Sequence, residues 1–154
     1  MEEICIRRAT GDDADTLVAH RRAMFYEMGF RDGAALDAMT ASFRVWLIER
    51  MRGEEYLAWV ALAEGQIVAG LGLWLMDWPP HMLGPGARRG NILNVYTESA
   101  QRRRGIARRL MEVAVRWCRE NGIRAVILHA SDDGRPLYEQ LGFQATNEMR
   151  LLLD

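Results

Sequence analysis

No lysine occurs among the 154 residues; all 20 basic side chains are arginine. That absence excludes Schiff-base chemistry and a lysine general base. It also leaves recognition of phosphate or carboxylate to planar guanidinium forks. Cysteine is scarce. Cys5 and Cys118 make neither a metal-ligand spacing nor a disulfide framework, which suits a reducing, cytoplasmic setting. No apolar run reaches transmembrane length, and the opening residues, with Glu2 and Glu3, lack a signal-like apolar core. No membrane partner is therefore expected. Net charge is −1, so the molecule as a whole is not built to bind polyanions. What is present, 49% hydrophobic and 27% charged residues, fits a single domain over residues 1–154 with one well-covered core.

Taken in order, Ile4 to Ala9 reads as a first strand, and Thr10 stands three residues before Asp13 in a helix-capping arrangement. Ala14, Leu17, Val18, Met24, Phe25 and Met28 then recur at helical spacing up to Gly29. Leu36, Met39, Phe43, Leu47 and Met51 do the same up to Gly53. The apolar runs 56–62 and 66–78, split by Glu64-Gly65, predict a β-hairpin. Three of the four prolines fall at Pro79, Pro80 and Pro85, which makes that stretch a loop.

The stretch 91–110, NILNVYTESAQRRRGIARRL, organises the remainder. It opens as a strand, breaks at Glu98-Ser99, and resumes as a helix whose apolar side is Ile106, Leu110, Val113, Ala114 and Trp117. A strand, a glycine-containing turn and a helix N-terminus form an anion site, because the first-turn amides are unpaired and the helix dipole favours negative charge. Arginines at the same place add bidentate phosphate donors. Asn121-Gly122 stops the helix, and Ala125 to Leu128 predicts a strand buried on both faces. A short helix over 133–140 and one or two closing strands over 143–153 complete the order β-α-α-β-β-β-α-β-α-β.

Arg102-x-x-Gly105-x-Ala107 resembles the Q/R-x-x-G-x-G/A signature of the GCN5-related N-acetyltransferases (GNAT). Leu137-Tyr138-Glu139-Gln140-Leu141-Gly142-Phe143 is similar to the L-Y-E-x-L-G-F segment of the same family. The element order agrees, so the resemblance covers nearly the whole chain. It implies an α/β (α+β) GNAT fold with a mixed sheet of six to seven strands and about four helices. It also implies acetyl-CoA as co-substrate, no metal, and a small-molecule or peptide amine as acceptor; a homodimer is compatible with it. By the same resemblance, the cofactor lies along Asn94, Val95, Tyr96 and Thr97 of the central strand. Its diphosphate meets Arg102, Arg103, Arg104, Gly105, Ile106, Ala107 and Arg108. Ser131, where the family commonly has asparagine, faces the pantetheine arm, and the Tyr138 hydroxyl faces the sulfur. Helical spacing further places Arg108 on the side of Arg104, with Arg109 rotated away.

Acetyl transfer to an amine needs a neutral nucleophile, a polarised carbonyl and a protonated leaving thiol. An alkyl ammonium with a pKa near roughly 10 is about 0.1% neutral at pH 7, so a base must take its proton. Tyr138 is the candidate acid for the thiolate. A β-bulge near Val95 or Tyr96, implied by the resemblance, supplies an amide to the carbonyl. Glu27 ranks first as base; Glu98, Asp77 and His81 are alternatives. Two other readings stand beside this one. A non-catalytic acyl-CoA-binding module would keep the pocket without chemistry. A nucleic-acid surface made of Arg102, Arg103, Arg104, Arg108 and Arg109 is disfavoured because no aromatic residues interleave for base stacking.

Overall fold

The computed structural model describes residues 2–154. In chain order it contains β1 (Ile4–Arg8), α1 (Ala14–Glu27), α2 (Gly33–Arg52), β2 (Tyr56–Ala63), β3 (Gln66–Asp77) and β4 (Arg88–Thr97). These are followed by α3 (Ile106–Glu120), β5 (Val126–Leu128) and α4 (Arg135–Gln140). The five strands lie side by side in chain order; β1 to β4 are antiparallel and β5 runs parallel to β4.

Side chains alternate across a strand, and β2 shows what that does when both sheet faces are covered. Leu57, Trp59 and Ala61 point into the layer under α3, whereas Tyr56, Ala58 and Val60 point into the layer under α1 and α2. Helix α3 buries Ile106, Leu110, Met111, Ala114 and Cys118 at spacings of one helical turn, and its arginines and glutamates face water. Complete burial of each large apolar residue here, such as Leu47 or Leu110, contributes about 1.5–3 kcal/mol. The β2–β3 turn places Glu64 at φ +48° and Gly65 at φ +78°. Two consecutive left-handed residues are what a two-residue hairpin needs to match strand twist. At the other end of β1, the Arg7 guanidinium grips the Asp13 carboxylate at 2.8 and 2.9 Å, and Asp13 also accepts from the Thr10 amide. The Arg7 hydrogen bonds hold the Asp13 carboxyl below its usual range.

Two expectations are corrected. The sheet has five strands, not six or seven, because residues 143–153 form no strand. A strand exists only where a neighbour takes up its backbone hydrogen bonds, and residues 144–154 make none with the rest of the described backbone. For the same reason Val126–Leu128 is not buried on both faces: β5 is an edge strand, and all three residues are partly exposed.

Pairing between β4 and β5 is short. It runs from Gly90↔Val126 to Ile92↔Leu128 and then stops. β5 ends at Leu128, so Leu93–Thr97 continues without a β5 partner on that side.

Candidate active site

The stretch of β4 that β5 leaves unpaired contains an irregularity. Leu93 pairs with Gly72 and Tyr96 with Gly70, so Asn94 and Val95 together stand opposite Leu71. Two residues against one is a β-bulge, which releases backbone groups from the ladder. Asn94 carries the distortion at φ +55°, a conformation that costs a non-glycine residue on the order of 1 kcal/mol or more.

What holds Asn94 there is a buried polar chain. Arg21 on α1 donates to Asn94 Oδ1 at 2.6 Å, and Asn94 Nδ2 donates to the Tyr56 hydroxyl at 2.9 Å. Arginine has no acceptor, so the amide orientation follows from the contact itself. Burial pushes the Tyr56 phenol up to about 12, and it lowers the Arg21 guanidinium. The Arg21 plane also lies over the rings of Phe25 and Phe43, at 4.9 and 4.6 Å. Glycines in β3 make room for this. A Cβ on Gly72 would stand 1.8 Å from the Tyr56 hydroxyl, and one on Gly70 would stand 3.1 Å from His20 Nδ1. His20 is buried, with its ring 5.0 Å from that of Tyr96. Desolvation pushes its imidazole down to about 4, so it is neutral at physiological pH.

Among the residues singled out from sequence, Glu27 ends α1 and reaches over β4. Its carboxylate accepts from the Tyr96 hydroxyl at 3.3 Å and from Arg102 at 2.7 Å, and it remains half exposed. Burial, reinforced by the Glu27 carboxylate, raises the Tyr96 phenol. Arg102 also donates to the Thr97 carbonyl at 2.8 Å, which ties the loop to the end of the central strand. The other candidate bases sit elsewhere. His81 Nδ1 accepts from the Leu83 amide within its own loop, Asp77 pairs in register with Arg88, and Glu98 lies exposed past the end of β4.

In the loop into α3, Arg103 at φ +62° and Gly105 at φ +75° are both left-handed. Alternation of hand in such a loop turns successive N–H groups to one side. Gly105 caps α3, no side chain occupies the cap, and a Cβ at Gly105 would meet nothing within 4 Å. The amides of Ile106, Ala107 and Arg108 are the donors a helix start leaves without intrahelical partners. This geometry fits a diphosphate.

The arginines separate in a way that helical spacing did not foresee. Arg104 reaches Glu2 at 3.3 Å and also Gln101, Arg109 donates to the Ile4 carbonyl at 3.0 Å, and Arg108 reaches Gln140 on α4. Arg104 therefore shares the β1 side with Arg109, not the α4 side with Arg108. The reason is local: Gly105 is left-handed, so the rule of 100° per residue does not extend back through it to Arg104.

Helix α4 follows β5 and is tied to the first turn of α3 by the Arg108–Gln140 contact. The Ser131 hydroxyl accepts from the Gly134 amide at 3.1 Å, and the Ser131 carbonyl accepts from Arg135. That hydroxyl is thus already used to start α4. Tyr138 is buried edge-on to Phe143, with ring centroids 6.2 Å apart, and burial raises its phenol. A Cβ on Gly134 would stand 2.8 Å from the Tyr138 ring, so this glycine is needed for the ring to pack where it does. The stretch His20 to Phe30 was expected to wall the acceptor side; sequence reasoning missed Tyr56, and it did not foresee that Arg21 would hold Asn94 or that His20 would lie buried against Tyr96. The one available signal was Gly70-x-Gly72 within an otherwise bulky strand. No cluster of His, Cys, Asp and Glu able to hold a metal ion occurs among the described residues. No helix among them is long and apolar enough to cross a membrane.

Comparison with known proteins bears on the same geometry. A GCN5-related N-acetyltransferase structure from Ralstonia eutropha JMP134 is 39% identical, with a TM-score of 0.92 over 98% of this chain and 99% of that one. A predicted acetyltransferase from Clostridium acetobutylicum, solved with acetyl-CoA, is 28% identical, with a TM-score of 0.88 over 98% and 96% of the two chains. N-acetyltransferase 8 of Homo sapiens is 28% identical over 93 residues, which is 58% of this chain and 39% of that protein. The matched stretch thus spans well under half of the human relative. The model of the acetyltransferase (GNAT) family matches residues 17–143, and with the mixed sheet, the short β4–β5 pairing and the loop into α3, this chain belongs to the GNAT acetyltransferase family.

Proposed function

We propose that this chain transfers the acetyl group of acetyl-CoA to a primary amine of a small molecule or peptide, by direct attack while both are held in a crevice beside β4. The observation that carries this reading is the bulge at Asn94-Val95, placed where β4 continues without a β5 partner and held open by buried side chains. A bulged amide there is free to donate to the thioester carbonyl, and it is already oriented before charge develops.

The diphosphate of acetyl-CoA binds at the start of α3, on the amides of Gly105 to Arg108, with Arg108 adding charge. Arg102, Arg103 and Arg104 line the same loop, and Asn94 to Thr97 with Ser131 border the pantetheine path. In the reaction the amine nitrogen attacks the carbonyl carbon, a C–N bond forms and the C–S bond breaks. The departing thiolate, of pKa roughly 8–9, takes the Tyr138 proton. The raised phenol keeps Tyr138 protonated at neutral pH, as an acid must be. The ammonium proton passes to Glu27, directly or through a water molecule, and then to solvent. Glu27 suits that task because its carboxylate already stands against Tyr96, next to the bulge. Holding both reactants in one crevice supplies much of the rate by proximity.

The test is thiol release from acetyl-CoA with amines, aminoglycosides, amino acids and peptides as acceptors. Release that depends on one acceptor class supports transfer. Tight acetyl-CoA binding with no release for any of them would favour a binding module of the same fold.

A further inference from the structure

We propose that Arg21 binds a carboxylate on the acceptor, so that the amine acetylated here belongs to a small amino acid-type molecule and not to a peptide N-terminus. The assignment rests on the acetyl-transfer reading of the same site and narrows its acceptor. Arg21 lies on α1, partly buried against the sheet face that carries Tyr56 and Asn94. Its guanidinium has five N–H donors and keeps its charge at any ordinary pH. One nitrogen, Nη1, donates to Asn94 Oδ1 at 2.6 Å. The opposite edge is different: Nε is shielded from solvent with no partner, and Nη2 makes no hydrogen bond among the described residues. The charge is uncompensated as well. Helices α1 and α2 carry four carboxylates between them, and each pairs with another arginine: Asp15 with Arg44, Glu27 with Arg102, Asp37 with Arg22 and Glu49 with Arg50. None pairs with Arg21.

A desolvated cation without a counter-charge is costly to hold. The rings of Phe25 and Phe43 and one amide oxygen offset that cost only in part. A carboxylate offsets it best, because Nε–H and Nη2–H point the same way and match its two oxygens with parallel hydrogen bonds. The position then decides the substrate class. Arg21 is bonded to Asn94, and Asn94 is half of the bulge whose freed amide serves the thioester carbonyl. A carboxylate on Arg21 therefore holds the amine of the same small molecule beside the reacting carbon. A peptide N-terminus presents a neutral amide in that place, which brings no charge and only one acceptor oxygen. A polycationic acceptor such as an aminoglycoside meets a like charge there, which disfavours it.

The experiment compares a panel of amino acids with the matching amino acid amides, which keep the amine and lose only the carboxylate. Thiol release from acetyl-CoA gives kcat/KM for each pair, in the wild-type chain and in Arg21→Gln. The wild type should prefer the acid of a productive pair by roughly 10²-fold or more, and Arg21→Gln should bring that ratio to about one. The ratio is the readout because glutamine also loosens Asn94, which slows both members of a pair alike. A second measurement needs no turnover: calorimetry of N-acetyl amino acids and their amides on the CoA-loaded protein. The acids should bind more tightly than the amides, and only the acids should weaken, by about tenfold or more, in Arg21→Gln. Equal kcat/KM for acids and amides overturns the carboxylate assignment and leaves acetyl transfer standing. So does a preference for acids that survives Arg21→Gln, which would put the carboxylate on another group. No thiol release from any acceptor, together with acid binding that depends on Arg21, overturns acetyl transfer and keeps the carboxylate site. Neither release nor acid binding overturns both.

Discussion

Removal of one oxygen atom, in Tyr56→Phe, tests how the bulge is held. The Tyr56 hydroxyl is the acceptor for Asn94 Nδ2 at 2.9 Å, and both residues are buried. Phenylalanine keeps the ring and its edge-on contact with Trp46 at 5.6 Å, but it leaves a buried amide donor unpaired. An unsatisfied buried donor costs about 1–3 kcal/mol. For a chain of this size each kcal/mol lowers Tm by about 2–4 °C, so a fall of roughly 2–12 °C is expected. Asn94 is also the left-handed residue of the bulge, so its loosening should lower kcat several-fold. CoA affinity at the start of α3 should be unchanged. The assay is a double-mutant cycle with Asn94→Gly, because glycine accepts φ +55° without a tether. In the glycine background Tyr56→Phe should cost less than about 0.5 kcal/mol. An equal loss in both backgrounds would show that Tyr56 acts through packing alone, and the account of the bulge would fail.

Three further outcomes follow from the same geometry. Gly105→Val should weaken CoA binding at least tenfold in calorimetry, because it forces a β-branched residue to φ +75° and fills the space facing the loop amides; unchanged affinity would move the diphosphate elsewhere. Arg108→Ala should raise the Kd for CoA about tenfold, since a charge-assisted contact is worth roughly 1.5–3 kcal/mol. Arg109→Ala, whose guanidinium serves the Ile4 carbonyl, should raise it far less, and equal losses in titrations at two salt concentrations would indicate a diffuse field. Burial pushes His20 from the ordinary 6.5 down to about 4, so the unfolded chain protonates first as pH falls. Stability should be full above pH 6.5, decline between 6.5 and 4 and level off below that, a loss on the order of 3 kcal/mol. Urea unfolding at several pH values would show this, and His20→Leu should flatten that window; Asp13, whose lowered carboxyl titrates below 3.8, acts outside it.

Much of this was legible in the amino-acid order because it is locally encoded. The loop into α3 needs a glycine at a left-handed cap and arginines beside it, and the helix that follows shows its buried stripe directly. Leu137 to Phe143 likewise fixes a short helix, a glycine stop and an aromatic pair. The network around Asn94 was not legible, because its members are 73 and 38 positions apart and meet only after α1 and β2 pack on the same sheet face. The last segment shows a different limit. The β-favouring residues of 143–153 predict a strand as a local tendency, but no part of the described chain pairs with residues 144–154, and no strand forms. The side of Arg104 was misjudged because one left-handed residue breaks helical phase.

The most direct test of acetyl transfer in this crevice is Tyr138→Phe, with kcat and CoA affinity measured on the same preparation. The ring is buried against Phe143 and remains so in the variant, so only the proton donor is lost. If the Tyr138 hydroxyl protonates the leaving thiolate, kcat falls by roughly 10²-fold or more while the Kd for CoA is unchanged. A phenylalanine variant that turns over at the wild-type rate would assign Tyr138 to packing and contradict the proposed chemistry.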